Sequence, residues 1–195
     1  MKINFLKTLI IVTSVLLINI NLLSKQVLAV ETDDIVIIAE KNGDFTKFIE
    51  VLKITGLDKK LHEMGPFTIF APTNEAFIAF DKKHPGLIAG WMKTDEGKKK
   101  LEDFLQYHIV PAKLTAEKLK EMKADKAANG KTFTIKVSDE GIKINGSKIT
   151  KADIEGSNGV IHAIQHVLTV PSEKISAEKT PSENAHTEAA PSEKK

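Results

Sequence analysis

The apolar residues of this chain change their spacing part-way along, and that change limits the fold more than any other feature. Before about residue 122 they recur at helical intervals. Phe45, Phe48, Ile49 and Leu52 fall at i, i+3, i+4 and i+7, the stripe of an amphipathic helix. After residue 131 they alternate: Thr132-Phe133-Thr134-Ile135-Lys136-Val137 reads as a half-buried strand. Helices first and a run of antiparallel strands afterwards predict the α+β class.

Local signals divide the chain further. Thr32-Asp33-Asp34 caps a helix over 35–40, and Asn42-Gly43-Asp44 breaks it and caps the next, which Gly56 ends. A short helix covers Asp58 to Glu63, and Gly65-Pro66 turns into a buried strand from Phe67 to Ala71. Thr73 caps a helix with Ala76, Phe77 and Phe80 inward. Another helix runs from about Lys98 to Gln106, Tyr107 to Val110 forms a short strand, and Thr115 starts a helix through about Met122. Asp139-Glu140-Gly141 and Asn145-Gly146 are hairpin turns. Ser147 to Ile149 is short, and Ser157-Asn158-Gly159 turns the chain into a long apolar strand from Val160 to Val170.

The two ends stand apart from this pattern. Lys2 and Lys7 precede an apolar run from Leu9 to Ile20, and Val27-Leu28-Ala29 places small residues at −3 and −1 of a cleavage site. Residues 1–29 therefore read as a signal peptide cut after Ala29. Asn19, Asn21 and Lys25 interrupt the run before the roughly 20 apolar residues of a spanning helix, so no membrane span is expected after signal removal. At the other end Pro-Ser-Glu recurs at Pro171, Pro181 and Pro191. Residues 172–195 hold too little apolar surface to offset the entropy of ordering and read as a disordered tail. The domain proper is 30–171.

An exported chain without cysteine must draw its stability from its core and has no thiol chemistry. Without Lys2, Lys7 and Lys25 the chain keeps 25 basic residues against 26 acidic ones. Every basic residue is lysine, with no arginine to form a bidentate fork, which argues against nucleic acid as a partner. Lys98-Lys99-Lys100 reads as a solvated helix face. Gly-x-Ser-x-Gly, a phosphate-binding glycine loop and His-Glu-x-x-His are all missing from the sequence, so no enzyme activity and no cofactor are expected. His162 and His166, on one strand face, would stand ~13 Å apart, too far to share a metal ion.

Two longer stretches carry a resemblance. Phe67-Thr-Ile-Phe-Ala-Pro-Thr-Asn-Glu-Ala-Phe77 and Asn158-Gly-Val-Ile-His-Ala-Ile-Gln-His-Val-Leu-Thr-Val-Pro171 resemble the two signatures of the fasciclin domain family, with Tyr107-His108 where that family has its Tyr-His pair. The resemblance implies an α+β wedge of two packed β-sheets with helices along one side. The motifs also make sense by folding alone. Pro72 suits a strand end, Thr73 or Asn74 caps a helix, and Asn158-Gly159 permits a positive-φ turn.

The resemblance also implies a partner-binding site. In animal members the Tyr-His region is associated with integrin-dependent adhesion, which on this chain implicates Tyr107 and His108. Lys151-Ala152-Asp153-Ile154 resembles the family's adhesive segment ending in Asp-Ile, although its first two residues differ from the better-known versions. Asp153 would offer a carboxylate to a partner's metal ion and Ile154 an apolar anchor. Read from the residues alone, Tyr107 and His108 equally suit a buried pair satisfied by backbone, and Asp153 suits an ordinary loop. The function implied is adhesion to a protein, cell-surface or matrix partner by a secreted or periplasmic protein. A carrier of a small apolar ligand and a structural envelope protein are the alternatives.

Overall fold

The computed structural model describes residues 33–63 and 65–170. The expected signal peptide (1–29) and tail (172–195) lie outside the described residues. The fold belongs to the compact unit that starts at Asp34.

Six of its helices precede most of the sheet. They are α1 (Ile35–Asn42), α2 (Thr46–Thr55), α3 (Leu57–Glu63), α4 (Asn74–Lys83), α5 (Leu87–Trp91) and α6 (Asp95–Gln106). Strand β1 (Phe67–Pro72) lies between α3 and α4. Then follow β2 (Ile109–Val110), α7 (Ala116–Glu121), β3 (Ala124–Lys126), β4 (Thr132–Ser138), β5 (Gly141–Ile144), β6 (Ser147–Gly156) and β7 (Gly159–Ile164). The α+β class holds. Among the described residues, no helix is long and apolar enough to cross a membrane.

Among the described residues, four helices start on a side-chain cap. Asp34 accepts from the N–H groups of Val36 and Ile37, Thr73 from Ala76, Thr94 from Gly97 and Thr115 from Lys118. Helix α2 differs. Its N-cap residue, Phe45, makes no side-chain cap. Asn74 supplies the missing acceptor from 27 residues away: its Oδ1 takes the Lys47 N–H at 3.1 Å and the Thr46 hydroxyl at 3.0 Å. The Asn74 amide also donates to Gly43 O at 2.9 Å. Asn74 therefore locks α4 to the α1–α2 break rather than merely starting its own helix.

The strands form one ladder in the order β2-β1-β7-β6-β5-β4-β3. It is mixed, because β1 and β7 pair in parallel while the neighbouring pairs are antiparallel. The two packed sheets that the resemblance implies are the two halves of this ladder. In a flat sheet β1 and β4, four positions apart, would lie about 19 Å from each other. Yet the rings of Phe70 on β1 and Phe133 on β4 meet edge to face with centroids 5.4 Å apart, so the ladder curls over on itself. The curl is taken up in β6, whose register against β7 shifts twice between Ile149 and Ile154.

The curl gives β1 and β7 two buried faces and the domain two cores. One joins the helices to the sheet through Phe48, Leu52, Ile69, Leu101 and Ile161. The other fills the fold of the sheet with Phe70, Phe133, Ile135, Ile144 and Ile164. Strands buried on both faces read as nearly continuous apolar runs, as Phe67–Ala71 and Gly159–Ile164 do, each broken by one buried polar residue, Thr68 and His162.

Several sequence readings need correction. The segment expected to be short, Ser147 to Ile149, opens the ten-residue β6, and the helix expected from about Lys98 starts at Asp95. The strand expected from Val160 to Val170 ends at Ile164; beyond a last bond from Gln165 N to Lys148 O the chain keeps burying Leu168 outside the ladder, because apolar spacing reports burial rather than strand pairing. Tyr107 and His108 form the turn after α6, not strand, and pairing begins at Ile109. Gly159 has no positive φ. A Cβ there would stand 2.2 Å from Phe67 O, so glycine is required by the close approach of β1.

Candidate functional site

The polar groups of the domain converge on a strap, residues 111–115, that runs from β2 to α7 across β1, β7 and β6. Each strand holds the strap, or the start of α7 that follows it, by one side chain. Thr68 of β1 donates to Ala112 O at 2.6 Å and accepts from Leu114 N at 2.8 Å. His162 of β7 sits 2.7 Å from Leu114 O through Nε2. Asp153 of β6 accepts the Ala116 N–H at 2.9 Å, at the start of α7. Lys113 of the strap also reaches Glu155 at 3.5 Å, an exposed pair of little energetic weight.

His162 is fully buried. Because Leu114 O can only accept, Nε2 carries the proton, and Nδ1 accepts from Asp153 N at 3.3 Å. Burial lowers its pKa against the opposing pulls of Leu114 O and Asp153, so the ring is neutral. Both nitrogens are used within the fold. His166 lies past the end of β7 and is exposed, so the two histidines do not share a strand face. Among the described residues, no three His, Cys, Asp or Glu side chains are grouped so as to hold a metal ion.

Tyr107 and His108 lie inside. Tyr107 is 1% exposed. Its hydroxyl donates to Thr132 O at 3.0 Å and accepts from the Asn145 amide at 2.6 Å, pinning the start of β4 and the β5–β6 turn to the end of α6. Asn145 itself takes the left-handed φ of 47° that its Asn-Gly turn demands. His108 is 0% exposed. Its Nδ1–H donates to Phe104 O at 2.9 Å, and Nε2 accepts from Leu168 N at 3.0 Å, with Phe48 and Phe104 against the ring. Burial drives its pKa down to about 4, only partly opposed by the Phe104 carbonyl.

Asp153 and Ile154 lie on the outer side of the same framework. Asp153 is exposed and Ile154 half-buried. Asp153 sits at φ 54° within the irregular stretch of β6, a conformation that glycine, asparagine and aspartate enter most readily and that costs other L-residues about 1–2 kcal/mol. Two tethers hold it there, its N–H on His162 and its carboxylate on Ala116. Ile154 packs its inner side against the helical core. The four residues singled out from the sequence thus separate into a buried pair and a surface pair. His162 and the strap join the two regions, because Thr68, which holds the strap, stands two residues from Phe70, whose N–H donates to His108 O at 2.8 Å.

Sequence reasoning missed the long-range part of Asn158. Its Oδ1 accepts Ile35 N at 3.0 Å, its amide donates to Leu61 O at 2.5 Å, and its carbonyl accepts Phe67 N at 3.0 Å. One residue of the second motif thereby joins α1, α3 and β1.

The family model for the fasciclin domain matches residues 43–171. The chain belongs to the fasciclin domain family. Protein sll1483 of Synechocystis is 38% identical over 137 residues, covering 70% of this chain and 73% of that protein. Transforming growth factor-beta-induced protein ig-h3 of Sus scrofa is 28% identical over 130 residues, covering 67% of this chain but 18% of the larger protein. Among solved structures, a FAS1 domain pair from the insect cell adhesion molecule Fasciclin I superposes with a TM-score of 0.54 at 24% identity, covering 69% of this chain and 48% of that one. That last likeness concerns the fold. The two stretches that carried the resemblance do so as scaffold: in the fasciclin domain seen here their asparagines, Asn74 and Asn158, are cross-links between helices and sheet.

Proposed function

We propose that this protein is an exported adhesion module that works by contact, binding a protein, cell-surface or matrix partner through the surface at Asp153 and Ile154. The observation that carries the reading is the backbone of Asp153. Residues held in costly conformations concentrate at functional positions, and this one is fixed by two hydrogen bonds. Its Oδ2 has no intramolecular partner among the described residues, and half-exposed Ile154 stands beside it. A carboxylate next to an apolar side chain on a rigid bulge suits a partner offering a cation, or a bound metal, beside an apolar pocket. In this reading Tyr107 and His108 are positioning residues that hold the sheet and the strap from beneath.

Fasciclin I, with its similar fold, is described as a cell adhesion molecule, which supports the class of function. The amino-terminal pattern supports export to the periplasm or beyond, with the mature chain starting at Val30. The protein purified from its source cells is expected to begin at Val30 by amino-terminal sequencing and to bind immobilised cell-surface or matrix preparations. Asp153→Ala and Ile154→Ala are expected to weaken that binding at least ~10-fold, the loss of a contact of about 1.4 kcal/mol or more. Tyr107→Phe should leave the affinity intact wherever the protein remains folded. Equal binding by Asp153→Ala and the unaltered protein would sink the reading.

A further inference from the structure

We propose that the outward face of β4, β5 and β6 binds an acidic polysaccharide through a row of three lysines, Lys136, Lys143 and Lys148. This goes beyond the contact at Asp153 and does not rest on it. Lys136 pairs directly with Lys143 across β4 and β5, and Lys143 with Lys148 across β5 and β6. Direct partners project to the same face. The opposite face carries Phe133, Ile135, Ile142 and Ile144, all buried, so the lysines point outward. Lys136 and Lys148 are exposed and Lys143 is half-buried.

Like charges placed directly opposite one another destabilise a sheet, and here the arrangement occurs twice in succession. Among the described residues one acid pairs with it: Glu140 accepts from Lys143 Nζ at 2.6 Å, and its carboxyl is held low by that bond first, then by the charges of Lys143 and Lys148. No ion pair among the described residues involves Lys136 or Lys148. Lysines on edge strands deter unwanted pairing, but β5 and β6 lie inside the ladder, so edge protection does not account for the row. Nor does overall charge, since 28 lysines face 26 acidic residues in the whole chain.

The three lysines stand on successive strands, whose backbones lie about 4.8 Å apart, so the row crosses the strands in a line. A polyuronate is an extended polyanion with a carboxylate on every sugar, the charge complement of a linear row of cations. The other outward side chains on β4 are Thr132, Thr134 and Ser138, which suit sugar hydroxyls. The face has no aromatic ring to stack on a base and no large apolar side chain to enter a bilayer.

The test uses the full purified chain and immobilised polygalacturonate, with single-stranded DNA and anionic phospholipid vesicles as the competing surfaces. The unaltered protein is expected to prefer polygalacturonate and to lose affinity steeply with salt. Replacing the row by Lys136→Gln, Lys143→Gln and Lys148→Gln should lower that affinity at least ~10-fold and flatten the salt dependence by roughly the number of charges removed. The same three-charge change on α6, at Lys98, Lys99 and Lys100, should shift it less than about twofold. Equal losses in the two triple variants would reduce the effect to net charge and overturn the proposal. So would absence of binding, or tighter binding to DNA or vesicles. The row variant should melt no lower than the unaltered protein; a lower melting point would mark the lysines as structural and also overturn it.

Discussion

The Tyr107–His108 turn and the Asp153–Ile154 bulge are both short, irregular and rich in polar groups, yet they sit on opposite sides of the boundary with solvent. At the turn, burial is complete and every ring polar atom has a backbone or side-chain partner. At the bulge the chain uses only part of what Asp153 offers, on a backbone held at φ 54°. The difference teaches that motif residues of one family divide the work. Interior ones supply the rigidity that lets exterior ones be held in a costly conformation. Buried polar groups are expensive when unpaired, so the turn should be intolerant of change and the bulge tolerant.

The sharpest way to break that comparison is His108→Ala. It leaves Phe104 O and Leu168 N without partners and opens a hole beside Phe48 and Phe104. Urea denaturation should report a loss of about 3–4 kcal/mol, from one or two unsatisfied groups plus a cavity. A loss below about 1 kcal/mol would place the turn on the same footing as the bulge.

Next in size is the effect of pH. Unfolded His108 takes up a proton near 6.5, and folded His108 only near 4. Between those values the unfolded chain binds more protons, so stability falls as pH is lowered through the window. From pH 7 to pH 5 the His108 contribution is about 2 kcal/mol. Buried His162, also lowered by desolvation, adds in the same direction. Denaturation of His108→Gln at the two pH values should show a correspondingly smaller difference, whatever its stability at pH 7. An unchanged difference would exclude this ring as the source.

The smallest expected effect sharpens the other side. Asp153→Val puts a β-branched residue at positive φ and removes the contact to Ala116, and should cost about 1–2 kcal/mol. Asp153→Asn tolerates that conformation and keeps an acceptor, so its melting curve should lie within about 0.5 kcal/mol of the unaltered protein. Asn losing as much as Val would mean that charge, rather than backbone, holds the bulge.

Much of this was legible locally. The caps at Asp34, Thr73 and Thr115, the Asn145-Gly146 turn and the shift from helical to alternating spacing depend on residues within about four positions of each other, and all appear in the structure. Two elements escaped. Helix α5 is five residues long, starts at Gly86 without a side-chain cap and contains Gly90, so it carries no helix signal. Strand β3, Ala-Asp-Lys, has no apolar alternation and exists only because β4 supplies its partners.

By itself, then, the sequence determined the class of fold, the order of most elements and the two family motifs, because short-range propensity and spacing encode them. Only the tertiary structure decided that β1 and β7 run parallel, that the sheet curls until Phe70 meets Phe133, that His108 is sealed inside, and that three lysines line up across β4, β5 and β6. Those outcomes rest on contacts between residues far apart in the chain, such as Thr68 with Ala112 at a separation of 44 and Asn158 with Leu61 at 97. No local preference specifies such pairs; they are selected by the burial of apolar faces, which is a property of the whole core.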